Sequence, residues 1–183
     1  MERTIRFDWR HIVWLAALVV MSVGLSRAFA CAVPLAAFAA LAALTMRRGE
    51  AVLLVLAIVL ANQCVGFAVF QYPAAGLVWS AAFALVGVAA VFAAEWTYRG
   101  AALAHPMLGR ASAFLAAFAA YEGGLFLITV AAAPGDLATY AAPTVLRILA
   151  INATAFAGLL VVARIAIGVL GVPGGLGVRQ RTV

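Results

Sequence analysis

From Ala51 to Phe70 the chain carries no charged side chain, and the same holds from Ile12 to Ser26, from Ala28 to Met46 and from Ala74 to Ala94. Such runs constrain the fold more than any other feature. They approach or reach the roughly 20 residues that an α-helix needs to cross the ~30 Å hydrocarbon core of a bilayer. In lipid, only helices and closed barrels satisfy every backbone N–H and C=O. With 68% hydrophobic and 10% charged residues, a soluble domain would have too little polar surface to cover this chain. The expected fold is an all-α integral membrane protein with a single transmembrane domain over 1–183. Its six-transmembrane-helix bundle has spans at about 12–26, 27–46, 51–71, 74–95, 111–133 and 143–170.

Short polar connections separate the runs: Arg47-Arg48-Gly49-Glu50, Tyr72-Pro73, Glu95 to Arg110, and Pro134-Gly135-Asp136. Pro34 falls near the start of the second span, where a proline is tolerated. The sixth span exceeds the length a crossing needs, and tilt or a break at Gly158 would absorb the excess. The first run, followed by Ala28-Phe29-Ala30 and Cys31, also has the marks of a cleaved signal peptide. The favoured reading is an ordinary first membrane helix with a tight connection to the second. Cleavage after Ala30 stays open.

All 12 basic residues are Arg, and the formal net charge is +6. In a soluble protein that balance suggests nucleic acid. Here the arginines sit at the ends of apolar runs, so they report topology. With the N-terminus inside, Arg3, Arg6, Arg10, Arg47, Arg48, Arg99, Arg110, Arg179 and Arg181 are cytoplasmic, and Arg27 alone lies in an outer loop. Both termini are therefore expected in the cytoplasm. The Ala and Arg bias fits a GC-rich bacterial genome and hence a bacterial inner membrane.

This orientation assigns a depth to each intramembrane polar residue. Asn62, Gln63 and Cys64 fall in the outer half of the third span, with Gln71 and Tyr72 at its outer end. Tyr121 and Glu122 lie near the midplane of the fifth, Arg147 one turn below the outer end of the sixth, and Asn152 deeper. Unpaired amides in an apolar medium cost roughly 2–7 kcal/mol, so these groups need partners. A carboxylate such as Glu122 costs about 2.5–3.5 kcal/mol on insertion scales, by analogy with Asp. Their concentration in one half of the bilayer points to a pocket open to the outside. Periodicity sorts them further. Gln63, Phe67 and Gln71 share one helical face; Asn62, Gly66 and Phe70 share the adjacent one; Asn152 points away from Arg147.

Each residue also has a structural reading. Glu122 can bridge to Arg147, Arg147 can snorkel to the interface, the carboxamides can be interhelical glue, and Cys64 can be a small buried apolar residue. No nucleophilic triad, zinc-protease helix, phosphate loop or CxxC occurs in the sequence, so an enzyme is not expected. Two cysteines, Cys31 and Cys64, do not make a disulfide framework.

Six short spans, inside termini and a pocket near the outer face resemble the substrate-binding (S) component of an energy-coupling factor vitamin transporter. The stretch Asn62-Gln63-Cys64-Val65-Gly66-Phe67, then Tyr72-Pro73, with Tyr121-Glu122 and Asn152 later, is similar to the BtuM-like cobalamin family of solitary S components. The resemblance implies vitamin uptake, with cobalamin or a related corrinoid as ligand and Cys64 as an axial ligand to its cobalt. It implies substrate contacts from Asn62, Gln63, Phe67, Gln71, Tyr72, Tyr121, Glu122, Arg147 and Asn152. It also implies a transmembrane coupling subunit and ATPases as partners. A soft thiolate suits a transition metal, and the carboxamides would meet the corrin's amide side chains. The competing class is a structural or accessory membrane subunit. Its mark would be a filled core with Glu122 and Arg147 bridged.

Overall fold

The computed structural model describes residues 9–28, 33–71, 76–103, 105–132 and 137–170. These form six α-helices and one 3-10 turn: α1 (Trp9–Ala28), α2 (Leu35–Thr45), α3 (Arg48–Phe70), α4 (Gly76–Ala101), α5 (Pro106–Ala132), η1 (Leu137–Tyr140) and α6 (Ala142–Leu170). Five of the six are long and apolar enough to cross a membrane. The sixth run is not broken at Gly158; α6 continues through it as one helix.

Side-chain contacts set the directions. His11 of α1 lies 3.7 Å from Glu50 at the start of α3, and the Arg27 guanidinium at the end of α1 sits 4.5 Å from the centre of the Phe70 ring at the end of α3. The two helices thus run parallel. Arg48 at the start of α3 bonds Glu95 near the end of α4 at 2.8 Å, and Glu95 also takes Arg99, so α4 runs antiparallel to α3. The bundle accordingly has an Arg48 end and an Arg27 end.

Between Ala28 and Arg48 the chain returns from the Arg27 end to the Arg48 end, but the helix that carries it is short. The second span was expected over 27–46. Instead α1 extends through Ala28 and α2 covers only 11 residues, a rise of about 16 Å against the ~30 Å of a hydrocarbon core. The physical reason is Pro34. It has no N–H to continue a helix from above, and it restricts the residue before it to extended backbone. The helix starts directly after it, at mid-depth.

What α2 lacks in length it makes up in burial. Leu35 through Ala42 are all buried, most with no exposure, because α3, α4, α5 and α6 all pack around it. A helix apolar on every side belongs inside. Its alanines let the neighbouring backbones approach, which is how membrane helices gain packing contacts. Gly87 of α4 serves the same end. A Cβ there would fall 2.7 Å from Val55 Cγ1 and 3.1 Å from Leu35 Cδ2. Gly124 of α5 likewise faces Val86, at 2.7 Å.

Candidate ligand-binding site

A helix that begins at mid-depth leaves two problems: orphan backbone N–H groups in an apolar interior, and the space above it. The first is met partly by the Pro34 carbonyl, which accepts from the Ala37 and Phe38 N–H groups at 3.1 and 3.3 Å, and partly by Asn152. This residue of α6 is 1% exposed. Its Oδ1 accepts from the Ala37 N–H at 3.3 Å, and its Nδ2 donates to the Ile148 carbonyl at 3.0 Å. Asn152 is thus a capping group supplied from a neighbouring helix.

The second problem is left as a cavity of about 390 Å³. It occupies the place that a full-length second helix would fill. Val33 and Leu35 form its floor, and α3 contributes Val59, Asn62, Gln63, Val65, Gly66 and Phe70. Opposite stand Phe83 of α4, Tyr121, Glu122 and Leu125 of α5, and Ile148 of α6. At the Arg27 end it is bounded by Val23, Ser26 and Arg27 of α1 and by Thr139 and Tyr140 of η1. Tyr140 is positioned by a 2.9 Å hydrogen bond with Thr129 and an edge contact to Phe126.

The polar groups in this wall differ in how they are occupied. Asn62 donates both amide hydrogens, to Ser22 Oγ at 3.0 Å and to the Ile58 carbonyl at 2.9 Å. A carbonyl only accepts, so the nitrogen is fixed on that side and Oδ1 is left over. Ser22 in turn donates to Val19 O. Glu122 is 9% exposed and Tyr121 7%. Neither forms a hydrogen bond or ion pair with any described residue, and neither does half-buried Gln63. Buried side chains are normally satisfied, so these groups are open to something other than the protein.

Of the residues expected to form a site, four meet at the cavity: Asn62, Gln63, Tyr121 and Glu122. The face of α3 carrying Asn62, Gly66 and Phe70 points inward, with Gln63 at its edge. Phe67 is half-buried and outside the lining. Cys64 is exposed on the lipid side of α3, away from the cavity. Gln71 is exposed and ends α3 in the left-handed region (φ 53°, ψ 42°), its N–H bonded to Gly66 O and its side chain to Ala68 O. Arg147 is exposed on α6 and makes no bridge to Glu122, and Asn152 is occupied with α2. Tyr72 lies outside the described residues, as does the segment with Ala30 and Cys31. Among the described residues no three of His, Cys, Asp and Glu gather as a metal site.

Sequence reasoning missed Tyr140, Thr139, Phe83 and the wall formed by Ser26 and Arg27. A clue lay in Thr139-Tyr140 closely following Pro134-Gly135-Asp136, an amphipathic aromatic at a span end. Comparisons with protein-family models, curated proteins and solved structures returned no match.

Proposed function

We propose that this protein is a membrane-embedded substrate-binding protein for small-molecule uptake, and that the cavity at the Arg27 end is its binding site. The observation that carries the reading is the set of unpartnered polar side chains, Glu122, Tyr121 and Gln63, around a hollow lined by apolar walls. A structural subunit would be expected to have a filled core and a Glu122–Arg147 bridge. Neither is present among the described residues. Apolar concavities with a few convergent polar groups are the usual form of small-molecule sites.

The Arg distribution supports placing the Arg27 end outside and both termini in the cytoplasm of a bacterial inner membrane, with six passages, one of them made by the half-length α2. The likeness to S components extends the proposal to transport driven by a coupling subunit and ATPases. Within that frame the geometry favours a ligand smaller than a corrinoid. The volume of about 390 Å³ is near the lower end of the roughly 300–1,000 Å³ typical of small-molecule pockets, and exposed Cys64 does not reach it.

The test is purification in mild detergent, extensive washing, and native mass spectrometry for a retained small molecule. A parallel sample is incubated with micromolar cobalamin and read by absorbance. A co-purifying compound lost on Leu125→Trp, which fills the cavity, is the expected result. Retained corrinoid that disappears in Cys64→Ser would restore the larger ligand and move the site to the other face of α3. Failure to detect any ligand in either sample would overturn the uptake reading.

A further inference from the structure

The deepest polar group in the cavity is Glu122, and its depth follows from the packing glycines. Gly124 of α5 abuts Val86 of α4, and the adjacent Gly87 abuts Leu35, the first residue of α2. Glu122 lies less than one helical turn from Gly124, so it stands at the level of α2's first turn, which is the cavity floor. Among the described residues, the charged and titratable groups facing this cavity come from few elements: Arg27 on α1, Tyr121 and Glu122 on α5, and Tyr140 on η1. The faces of α2, α3, α4 and α6 contribute none. Arg27 is at the opposite end, stacked on Phe70, and makes no ion pair with Glu122 among the described residues.

We infer that the cavity selects compact ligands with a protonated amine at one end, seated with that amine on Glu122. This rests on the reading of the cavity as a ligand site. The side chains nearest the floor offer acceptors. Glu122 has two carboxyl oxygens and Tyr121 a hydroxyl, and higher on α3 Asn62 keeps a carbonyl oxygen while its amide hydrogens are engaged. The N-terminus of α2 adds about half a positive charge to the floor, and Asn152 Oδ1 already faces it. With a ligand ammonium in place, the full charge of the Glu122 carboxylate outweighs that half, and the floor serves as a cation site. Above it, Val59, Leu125 and Ile148 suit a hydrocarbon body. The rings of Phe83 and Tyr121 add faces that attract a cation. A buried carboxyl without a counter-ion is expensive to keep; a ligand ammonium supplies the missing partner by a charge-assisted hydrogen bond.

Three probes of nearly one shape separate charge from fit: phenethylamine, 2-phenylethanol and 3-phenylpropionate. Each is titrated into the full-length protein in detergent by saturation-transfer NMR, with the empty-micelle signal subtracted. The amine is expected to bind about tenfold or more tightly than the alcohol, and the carboxylate most weakly. Glu122→Gln is expected to abolish that preference, while Glu122→Asp keeps it. The wild-type comparison stands even if a variant fails to fold. Equal binding of amine and alcohol, or strongest binding of the carboxylate, overturns charge selection while leaving the ligand-site reading intact. No binding by any probe overturns both.

Discussion

The Arg48-side half of the bundle and the Arg27-side half share the same five long helices, yet their interiors are opposite. In the first, α2 fills the centre with Ala, Leu and Phe38, all at or near zero exposure. Its ionic groups sit at its end, Glu95 with Arg48 and Arg99, and Glu50 3.7 Å from His11, whose buried Nε2 makes no hydrogen bond. In the second no described helix fills the centre, and Glu122, Tyr121 and Gln63 line the hollow without a hydrogen-bond partner among the described residues. A membrane interior tolerates unpaired polar groups poorly, and such violations of packing logic cluster where function is. On the proposed function the contrast separates a scaffold half from a working half, and each prediction below is a way to break that division.

The largest effect belongs to the filled half. Phe38→Ala removes a fully buried ring and should cost about 3 kcal/mol or more, whereas Phe83→Ala, half-buried in the cavity wall, should cost less than about 1 kcal/mol because its site is already hollow. Thermal unfolding in detergent distinguishes them; equal losses would erase the division. Next comes the joint between the halves. Asn152→Leu leaves the Ala37 N–H with the Pro34 carbonyl alone and should cost about 0.5–1.5 kcal/mol, with faster amide exchange confined to the first turn of α2. Exchange unchanged there would remove Asn152's capping role.

A smaller effect of opposite sign is expected in the hollow half. Glu122→Gln removes a carboxyl that lacks a partner and should raise ligand-free stability by about 1 kcal/mol, as relief of a functional strain often does. A loss of stability would instead place Glu122 in a structural network. Smallest of all, Cys64→Ser on the lipid-facing side of α3 should shift stability by less than about 0.5 kcal/mol and leave ligand retention unchanged. Altered retention would bring α3's outer face into the site.

Much of this fold is legible in the residues, for identifiable reasons. Long apolar runs announce the five span-length helices, and helical spacing separates Asn152 from Arg147 and aligns Phe118, Glu122, Leu125 and Thr129, all of which are buried. The half-length of α2 was harder to see. Its run is apolar throughout, so hydrophobic periodicity offers neither a face nor a boundary, and only Pro34 marks where helix begins. The inward face of α3 was ambiguous for a related reason. Asn62, Gln63 and Cys64 are consecutive and span about 200° of the helix, so they cannot all face one cavity; neighbours distant in sequence decide which do. Asn152's bond to Ala37 and the wall position of Tyr140 likewise depend on packing between distant segments.

Pro34 sets the height at which α2 begins, and the floor of the chamber rises or falls with it. Like a piston in a cylinder, α2 fixes the enclosed volume while the surrounding walls stay as they are. Adding a turn above Leu35 would shrink the chamber, and removing one would deepen it. If the chamber holds a guest as proposed, one short helix governs its size, separately from the charge that Glu122 selects.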